Sequence, residues 1–348
     1  MTLLLNYRPV LRQPTGIGVY ANAVLPAVQE LPHLLIPGGE EGTAKQRLKR
    51  LLWTQLQLPR LAKRHQASLI FTPAPEGYLG PQKIPQVVMV HDLRTISHPE
   101  LSLQSAYFRA WVPALLRSCE RIFTNSLFTA TEIERCAGVP REKICVIPLG
   151  YDDQRFHPDP ASSADEKSPY LLHIGQAYPH KNLRRLIEVF AELAPRYPEV
   201  RLVLVGKPHA SETPQLQALV HHFGLESNVE WRPYVAAADL PALYRGALAF
   251  VYPSLWEGFG LPVLEAMACG TPVLTSYGSG TEEVASDAAL LINPWSSQAM
   301  GDGLRQLLEQ PRYRAELSER GLQRARRYSW ATTAQLTTKE LNRCLESL

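Results

Sequence analysis

From residue 170 onward the chain repeats one pattern: a short apolar run, a longer stretch with helical periodicity, then another short apolar run. The runs are YLLHI (170–174), VRLVLV (200–205), NVEW (228–231), ALAFVY (247–252), PVLTS (272–276) and AALLI (288–292). Between them lie NLRRLIEVFAELAPRY, TPQLQALVHHFG, ADLPALYRG and the 296–328 stretch. Strands this apolar must be covered on both faces. That points to a parallel sheet, whose crossovers are the helices between the runs. The first 150 residues use the pattern less plainly, with strands expected at LLLNY (3–7), SLIFTP (68–73), QVVMVHD (86–92), RIFTNS (121–126) and ICVIPLG (144–150). An α/β protein of two doubly wound, Rossmann-like domains is therefore expected. Such sheets take ligands outside the carboxyl ends of their strands.

At 348 residues the chain has room for two hydrophobic cores. The polar stretch DPASSADEKSP (159–169) reads as a linker between a first domain at 1–158 and a second at 170–328. The last segment, 329–348, reads as a helix with Ser329 as its cap before Trp330. No run of eighteen apolar residues occurs, so no spanning helix is expected, and MTLLLNYRPV reads as a first strand rather than a signal peptide. Five scattered cysteines without a C-x-x-C favour reduced thiols over disulfides or zinc, and with them a cytoplasmic setting. The net charge of +3 hides an asymmetry: residues 1–150 carry 17 Lys+Arg against 10 Asp+Glu, whereas the remainder is acidic. A basic half suits an anionic acceptor or membrane face, and equally an unevenly charged solvated surface.

The stretch SLWEGFGLPVLEAMACGTPVLTS (254–276) reads as strand end, glycine turn, helix and next strand. Gly258 and Gly260 permit a close main-chain approach, and Pro262 suits a first helical turn. The amides of Gly258, Phe259, Gly260 and Leu261 would then face an anion at a helix mouth. Glu257 precedes the turn and Glu265 follows one helical turn in, both able to accept from hydroxyls. Diphosphate plus hydroxyls is what a sugar nucleotide offers.

E-G-F-G-L-P-V-L-E resembles the signature of retaining glycosyltransferases of family 4, which have the GT-B fold. Other segments along nearly the whole chain carry the same likeness. The resemblance implies that Glu257 lies beside the donor sugar and that Glu265 accepts from ribose hydroxyls. In HIGQAYPHKNLRRLIEVF (173–190) it implies Lys181 on the diphosphate. Gln176 and His180 stand where many relatives have an arginine, so His180 takes over part of that clamp or the clamp is weaker. Gly206 and Lys207 end the next strand, with Lys207 either on phosphate or simply solvated. Tyr234 and Val235 follow NVEW, where relatives rest the nucleobase. In the first half, Gly16 and Gly18 form the family's first glycine loop and His91 meets the donor sugar. Ser126 reads as an N-cap. The final helix of such relatives returns to the first domain.

Gly16, Gly18 and Ala21 also match G-x-G-x-x-A. They stand eight residues beyond the first strand, and no acidic residue follows at the right distance, which argues against an NAD-linked oxidoreductase. No D-x-D and no clustered His/Cys pattern occurs, in keeping with a metal-independent enzyme. The expected activity is hexose transfer with retention, by domain closure on donor and acceptor. HIGQAYPHKNLRRLIEVF, SYGSGTEEVASDAALLINP and the C-terminal YSW resemble bacterial mannosyltransferases of surface polysaccharides, which implies GDP-mannose as donor. A UDP-hexose donor and a nucleotide-sugar epimerase stay open. The expected acceptor is a glycan, soluble or lipid-linked. Nucleic acid is not an expected partner. The basic stretch 45–64, with Trp53 among its leucines, could touch an anionic inner membrane face; a buried amphipathic helix with a basic outer side is the alternative.

Overall fold

The structure, a computed structural model, describes residues 1–12, 16–39, 43–80, 84–97, 103–159 and 169–348. They form two compact units, Met1–Gly150 with Ser329–Leu348, and Tyr151–Tyr328. Each is built on a six-stranded sheet.

The first sheet contains β1 (Leu3–Asn6), β2 (His33–Ile36), β3 (Leu69–Thr72), β4 (Gln86–Val90), β5 (Arg121–Thr124) and β6 (Ile144–Val146), in the order β2-β1-β3-β4-β5-β6. The second contains β7 (Tyr170–Ile174), β8 (Arg201–Val205), β9 (Val229–Arg232), β10 (Ala249–Tyr252), β11 (Val273–Ser276) and β12 (Leu290–Ile292), ordered β12-β11-β10-β7-β8-β9. Every pair in both sheets is parallel. Strands β1, β3, β4, β10 and β11 are buried along their whole length, as strands covered on both faces must be. Helix Leu183–Leu193 illustrates the covering. Its buried Leu183, Leu186, Ile187, Phe190 and Leu193 recur at helical spacing and join Leu171, Leu202 and Leu204 of the sheet in one cluster. Burying Phe190 alone stabilises by about 2–3 kcal/mol.

Three features depart from the sequence reading. Strand β2 was not expected. Its HLLI is half-buried at a sheet edge and bracketed by Pro32 and Pro37. The 45–64 stretch is two helices, Ala44–Leu56 and Leu58–Arg64, broken at Gln57 because Pro59 has no N–H to continue the first. Residues 151–158 pack with the second unit rather than the first. Phe156 is buried there with its ring 5.9 Å from that of Tyr244, and Arg245 Nη1 donates to the His157 carbonyl at 3.2 Å. Most of the expected linker, 160–168, lies outside the described residues.

The final helix, Trp330–Glu346, belongs to the first unit and runs along helix Gly16–Val28. The Ser329 side chain caps it by accepting from Thr332 N, and Ser126 does the same for helix Leu127–Ala137 from Thr129 N. Tyr20 OH meets Thr337 Oγ1 at 3.3 Å, and Thr333 Oγ1 donates to the Pro148 carbonyl at 2.8 Å. A Cβ on Gly150 would stand 2.1 Å from Trp330 N, so only glycine allows the helix to start there.

Candidate active site

In the second sheet the strand order reverses between β7 and β10. Loops leaving the carboxyl ends of two such strands depart to opposite faces and open a crevice, where doubly wound sheets bind ligands. The loop after β7 carries Gly175–Asn182, and the loop after β10 carries Pro253–Gly260. Backbone bonds fix both. Gly175 N donates to Val205 O at 2.8 Å, and Leu255 N donates to His180 O at 2.7 Å. Gly206 (φ +150°) lies so near the first loop that a Cβ there would stand 2.1 Å from Gly175 O.

Lys181 closes a one-turn 3-10 segment, Pro179–Lys181, and so precedes the helix rather than opening it. Asn182 follows in the left-handed region (φ 61°), and its buried side chain donates to the carbonyls of Pro253 at 3.2 Å and Pro294 at 2.8 Å. This turn aims Lys181 across the crevice. Its Nζ lies 2.5 Å from Glu257 Oε1 and 2.5 Å from Tyr252 OH, and 4.7 Å from the centre of the Tyr252 ring. His180 Nε2 is 4.0 Å from the same carboxylate oxygen. The Lys181 and Glu257 side chains are 12% and 14% exposed, so solvent screens the pair little.

Burial works against both charges, and pairing overcomes it. The Glu257 carboxyl is held below its usual range despite desolvation, chiefly by the Lys181 ammonium and then by His180. Desolvation likewise pulls on Lys181, but Glu257 and Tyr252 raise its pKa. Burial and the Glu257 charge push the Tyr252 phenol up, so it stays protonated. Beneath it, fully buried His173 stacks on the Tyr252 ring, with centroids 5.4 Å apart. Burial lowers the His173 pKa to about 4, and its neutral ring bonds Val251 O through Nδ1 at 3.0 Å.

The E-G-F-G turn is braced against residues 279–281. Gly280 N donates to Glu257 O at 2.8 Å, and a Cβ on Gly280 would stand 2.2 Å from Gly258 O. Gly260 caps helix Leu261–Ala268 with φ +106°, a left-handed conformation that excludes most residues. The Phe259 ring is buried against Tyr328, so this residue can offer a ligand only its backbone. Glu265 Oε2 accepts from Tyr244 OH at 2.9 Å. Burial raises the Glu265 pKa to about 7, opposed by the Tyr244 bond and by Arg155.

The remaining candidates stand on neighbouring strand ends. Gln176 Nε2 is 3.5 Å from Pro208 O, Lys207 is exposed after β8, and Val235 is half-buried after β9. Tyr234 is 83% exposed. In the first unit, Gly16 and Gly18 lie within the first turn of their helix, not in a loop; residues 13–15 are outside the described ones. His91 follows β4 with its ring edge-on to Tyr20 and Nε2 3.3 Å from Pro73 O. A carbonyl can only accept, so Nε2 carries the proton and Nδ1 offers a lone pair. Burial lowers the His91 pKa to about 4, so the ring is neutral. Asn125 Nδ2 fixes this corner by donating to His91 O at 2.9 Å.

The structure thus gathers His180, Lys181 and Glu257 at one point, with the glycine turn and Glu265 on the adjoining helix. Gly16, Gly18 and His91 belong to the other unit. Tyr252, Tyr244, Asn182 and His173 were not singled out from the sequence, although Tyr252 sits in the same AFVYPS strand as the motif. Among the described residues, no three His, Cys, Asp or Glu side chains gather as metal ligands.

Two doubly wound units, with a paired ammonium and carboxylate in the crevice at the switch point of the second sheet, define an open α/β protein with a ligand site at the carboxyl ends of its strands. Residues 17–155 match the model of Glycosyltransferase Family 4, and residues 156–324 match that of Glycosyl transferases group 1. The chain is 32% identical over 278 residues to O-antigen chain mannosyltransferase B of Escherichia coli, covering 77% of this chain and 72% of that one. It is 31% identical to the O-antigen chain mannosyltransferase RfbU of Salmonella typhimurium, covering 65% of this chain and 62% of the relative. Among solved structures it resembles sucrose-phosphate synthase from Thermosynechococcus elongatus (TM-score 0.80, 18% identity, covering 100% and 99%). It also resembles Anabaena HepE in complex with UDP and glucose (TM-score 0.76, 21% identity, covering all of both chains). At those identities the two structures speak for the fold alone. The protein belongs to the group 1, family 4 glycosyltransferases and has their GT-B fold.

Proposed function

We propose that the protein transfers mannose from GDP-mannose to a hydroxyl of a glycan or lipid-linked glycan, with retention and without a metal ion. The sugar assignment draws on the mannosyltransferase relatives at about 30% identity. Retention draws on family membership. The observation that carries the reading is the Lys181–Glu257 pair at the switch point. The two nearly buried charges satisfy each other. A sugar diphosphate can replace each partner in turn: its anion takes the ammonium and its hydroxyls take the carboxylate. No charge is then left buried and alone.

In this reading Lys181, helped by His180 and the mouth of helix Leu261–Ala268, stabilises the charge that builds on the departing diphosphate. Glu257 orients the sugar and Glu265 holds the ribose; in the first unit the neutral His91 has an Nδ1 lone pair able to accept from a hydroxyl. No side chain is assigned as a covalent nucleophile; a departing phosphate oxygen takes the proton of the acceptor hydroxyl. A lipid-linked acceptor would place the enzyme at the inner face of a membrane.

The test is thermal stabilisation and donor turnover with GDP-mannose, UDP-glucose and UDP-galactose, each with and without EDTA. GDP-mannose should stabilise most and EDTA should change nothing. Preference for a UDP-hexose would overturn the donor assignment. Loss of turnover in EDTA would overturn the metal-free mechanism.

A further inference from the structure

Helix Ala44–Leu56 is oriented against the usual rule for surface helices. Arg50 and Thr54 face inward and are buried. Arg50 makes a two-pronged pair with Glu76, Nε to Oε2 at 2.9 Å and Nη2 to Oε1 at 2.7 Å. Trp53 also turns inward, packing against the cluster of Leu4, Leu58, Ala62 and Ile70 with the Arg8 guanidinium 4.5 Å above its ring. The opposite side carries Leu48, Leu52 and Leu56, which are 60%, 56% and 56% exposed. Spaced four residues apart, they form one continuous stripe. A helix packed on a globular core normally places polar groups there.

Basic groups frame the stripe. Arg47 and Lys49 are exposed beside it, and Arg60, Lys63 and Arg64 are exposed on the following helix, Leu58–Arg64. Residues 43–66 contain seven Lys and Arg and no Asp or Glu. The Glu76 partner of Arg50 comes from outside that stretch and neutralises the inward-facing charge. Leucines projecting between cations, with no acidic side chain in the segment, complement a surface that is anionic outside and hydrocarbon beneath. A protein partner would be read by a groove or by a mixed pattern of charges; a uniform cationic rim is not selective in that way.

We propose that Leu48, Leu52 and Leu56, with Arg47, Lys49, Arg60, Lys63 and Arg64, form a docking face for an anionic phospholipid membrane. The leucines enter the boundary between headgroups and acyl chains while the cations lie on the headgroups. The face needs no donor or acceptor to act, so it stands or falls separately from the glycosyltransferase reading.

Co-sedimentation of the whole protein with vesicles, without any sugar nucleotide, tests it. The protein should pellet with vesicles of phosphatidylglycerol and phosphatidylcholine, much less with phosphatidylcholine alone, and be released by high salt. Leu48→Gln, Leu52→Gln and Leu56→Gln together should weaken the partition roughly tenfold or more without changing the circular dichroism spectrum. Lys49→Glu, Arg60→Glu and Lys63→Glu together should abolish the preference for anionic vesicles. Thermal stabilisation by GDP-mannose should be the same in both variants as in the wild type. Failure of the wild type to pellet with anionic vesicles, or wild-type partition by the glutamine variant, overturns the proposal. So does self-association in gel filtration that the glutamine substitutions abolish while vesicle binding is absent.

Discussion

Replacing Lys181 with methionine keeps most of the side-chain volume and removes the charge 2.5 Å from Glu257 Oε1. The carboxylate then sits 14% exposed, with the His180 ring 4.0 Å away. Removing one partner of a buried pair costs about 3–5 kcal/mol, and the residual exposure argues for about 3. For a cooperative unit of this size, ~3 kcal/mol lowers Tm by about 6–12 °C. The pH dependence gives a sharper signature. In the wild type the Glu257 pKa is lowered, so its contribution to stability is whole above the ordinary carboxylate range and fades as pH falls through the folded value. In the variant the largest opposing charge is gone and burial is offset only in part by His180 and by hydrogen bonds to the carboxylate, so the pKa moves upward and stability is lost as pH rises. The deficit against the wild type should therefore be large at pH 7.5 and shrink towards pH 5. Adding Glu257→Gln to Lys181→Met should restore much of the loss, since no lone charge remains. Differential scanning calorimetry of the wild type, both single variants and the double variant across that range is the assay. A Tm for Lys181→Met within about a degree of the wild type, or a deficit that does not vary with pH, would refute the reasoning.

Other perturbations probe other parts of the account. Because the Glu265 pKa is raised to about 7, nucleotide affinity should increase as pH rises through that value. Glu265→Gln should flatten this dependence in calorimetric titrations with GDP. Gly206→Ala must accommodate a Cβ 2.1 Å from the Gly175 carbonyl oxygen at φ +150°, so it should destabilise by at least about 2 kcal/mol and weaken GDP binding, as read by urea unfolding and titration. Deleting 329–348 removes a helix whose Thr333, Ala334, Thr337, Leu341, Cys344 and Leu345 are buried, and should leave the first unit unable to unfold cooperatively by calorimetry.

The two sheets were legible because each central strand is an apolar run closed by a polar or glycine turn. Strand β2 escaped because four half-buried residues between two prolines carry neither a long run nor an alternation. The side chains that act across the crevice were legible where the turn chemistry around them was explicit: Glu257 and Glu265 bracket two glycines and a proline. Their supports were hidden, because what defines them is distance in sequence. Tyr252 meets Lys181 across 71 residues, Asn182 meets Pro294 across 112, and Tyr244 meets Glu265 across 21. The outward leucines of helix Ala44–Leu56 were equally hidden. Leucine also stands at 51 and 58, so composition alone does not tell which face the core takes. The inward turn of Arg50 towards Glu76, with Trp53 and Thr54 on the same side, settles it.

In the proposed function, the switch point of the second sheet receives the diphosphate of a sugar nucleotide through Lys181. A crystal structure of the protein with GDP-mannose tests it most directly. The expected result is a diphosphate within hydrogen-bond distance of Lys181 Nζ, ribose hydroxyls on Glu265, and Glu257 moved from Lys181 to the sugar. Nucleotide bound elsewhere, with Lys181 and Glu257 still paired, would contradict it.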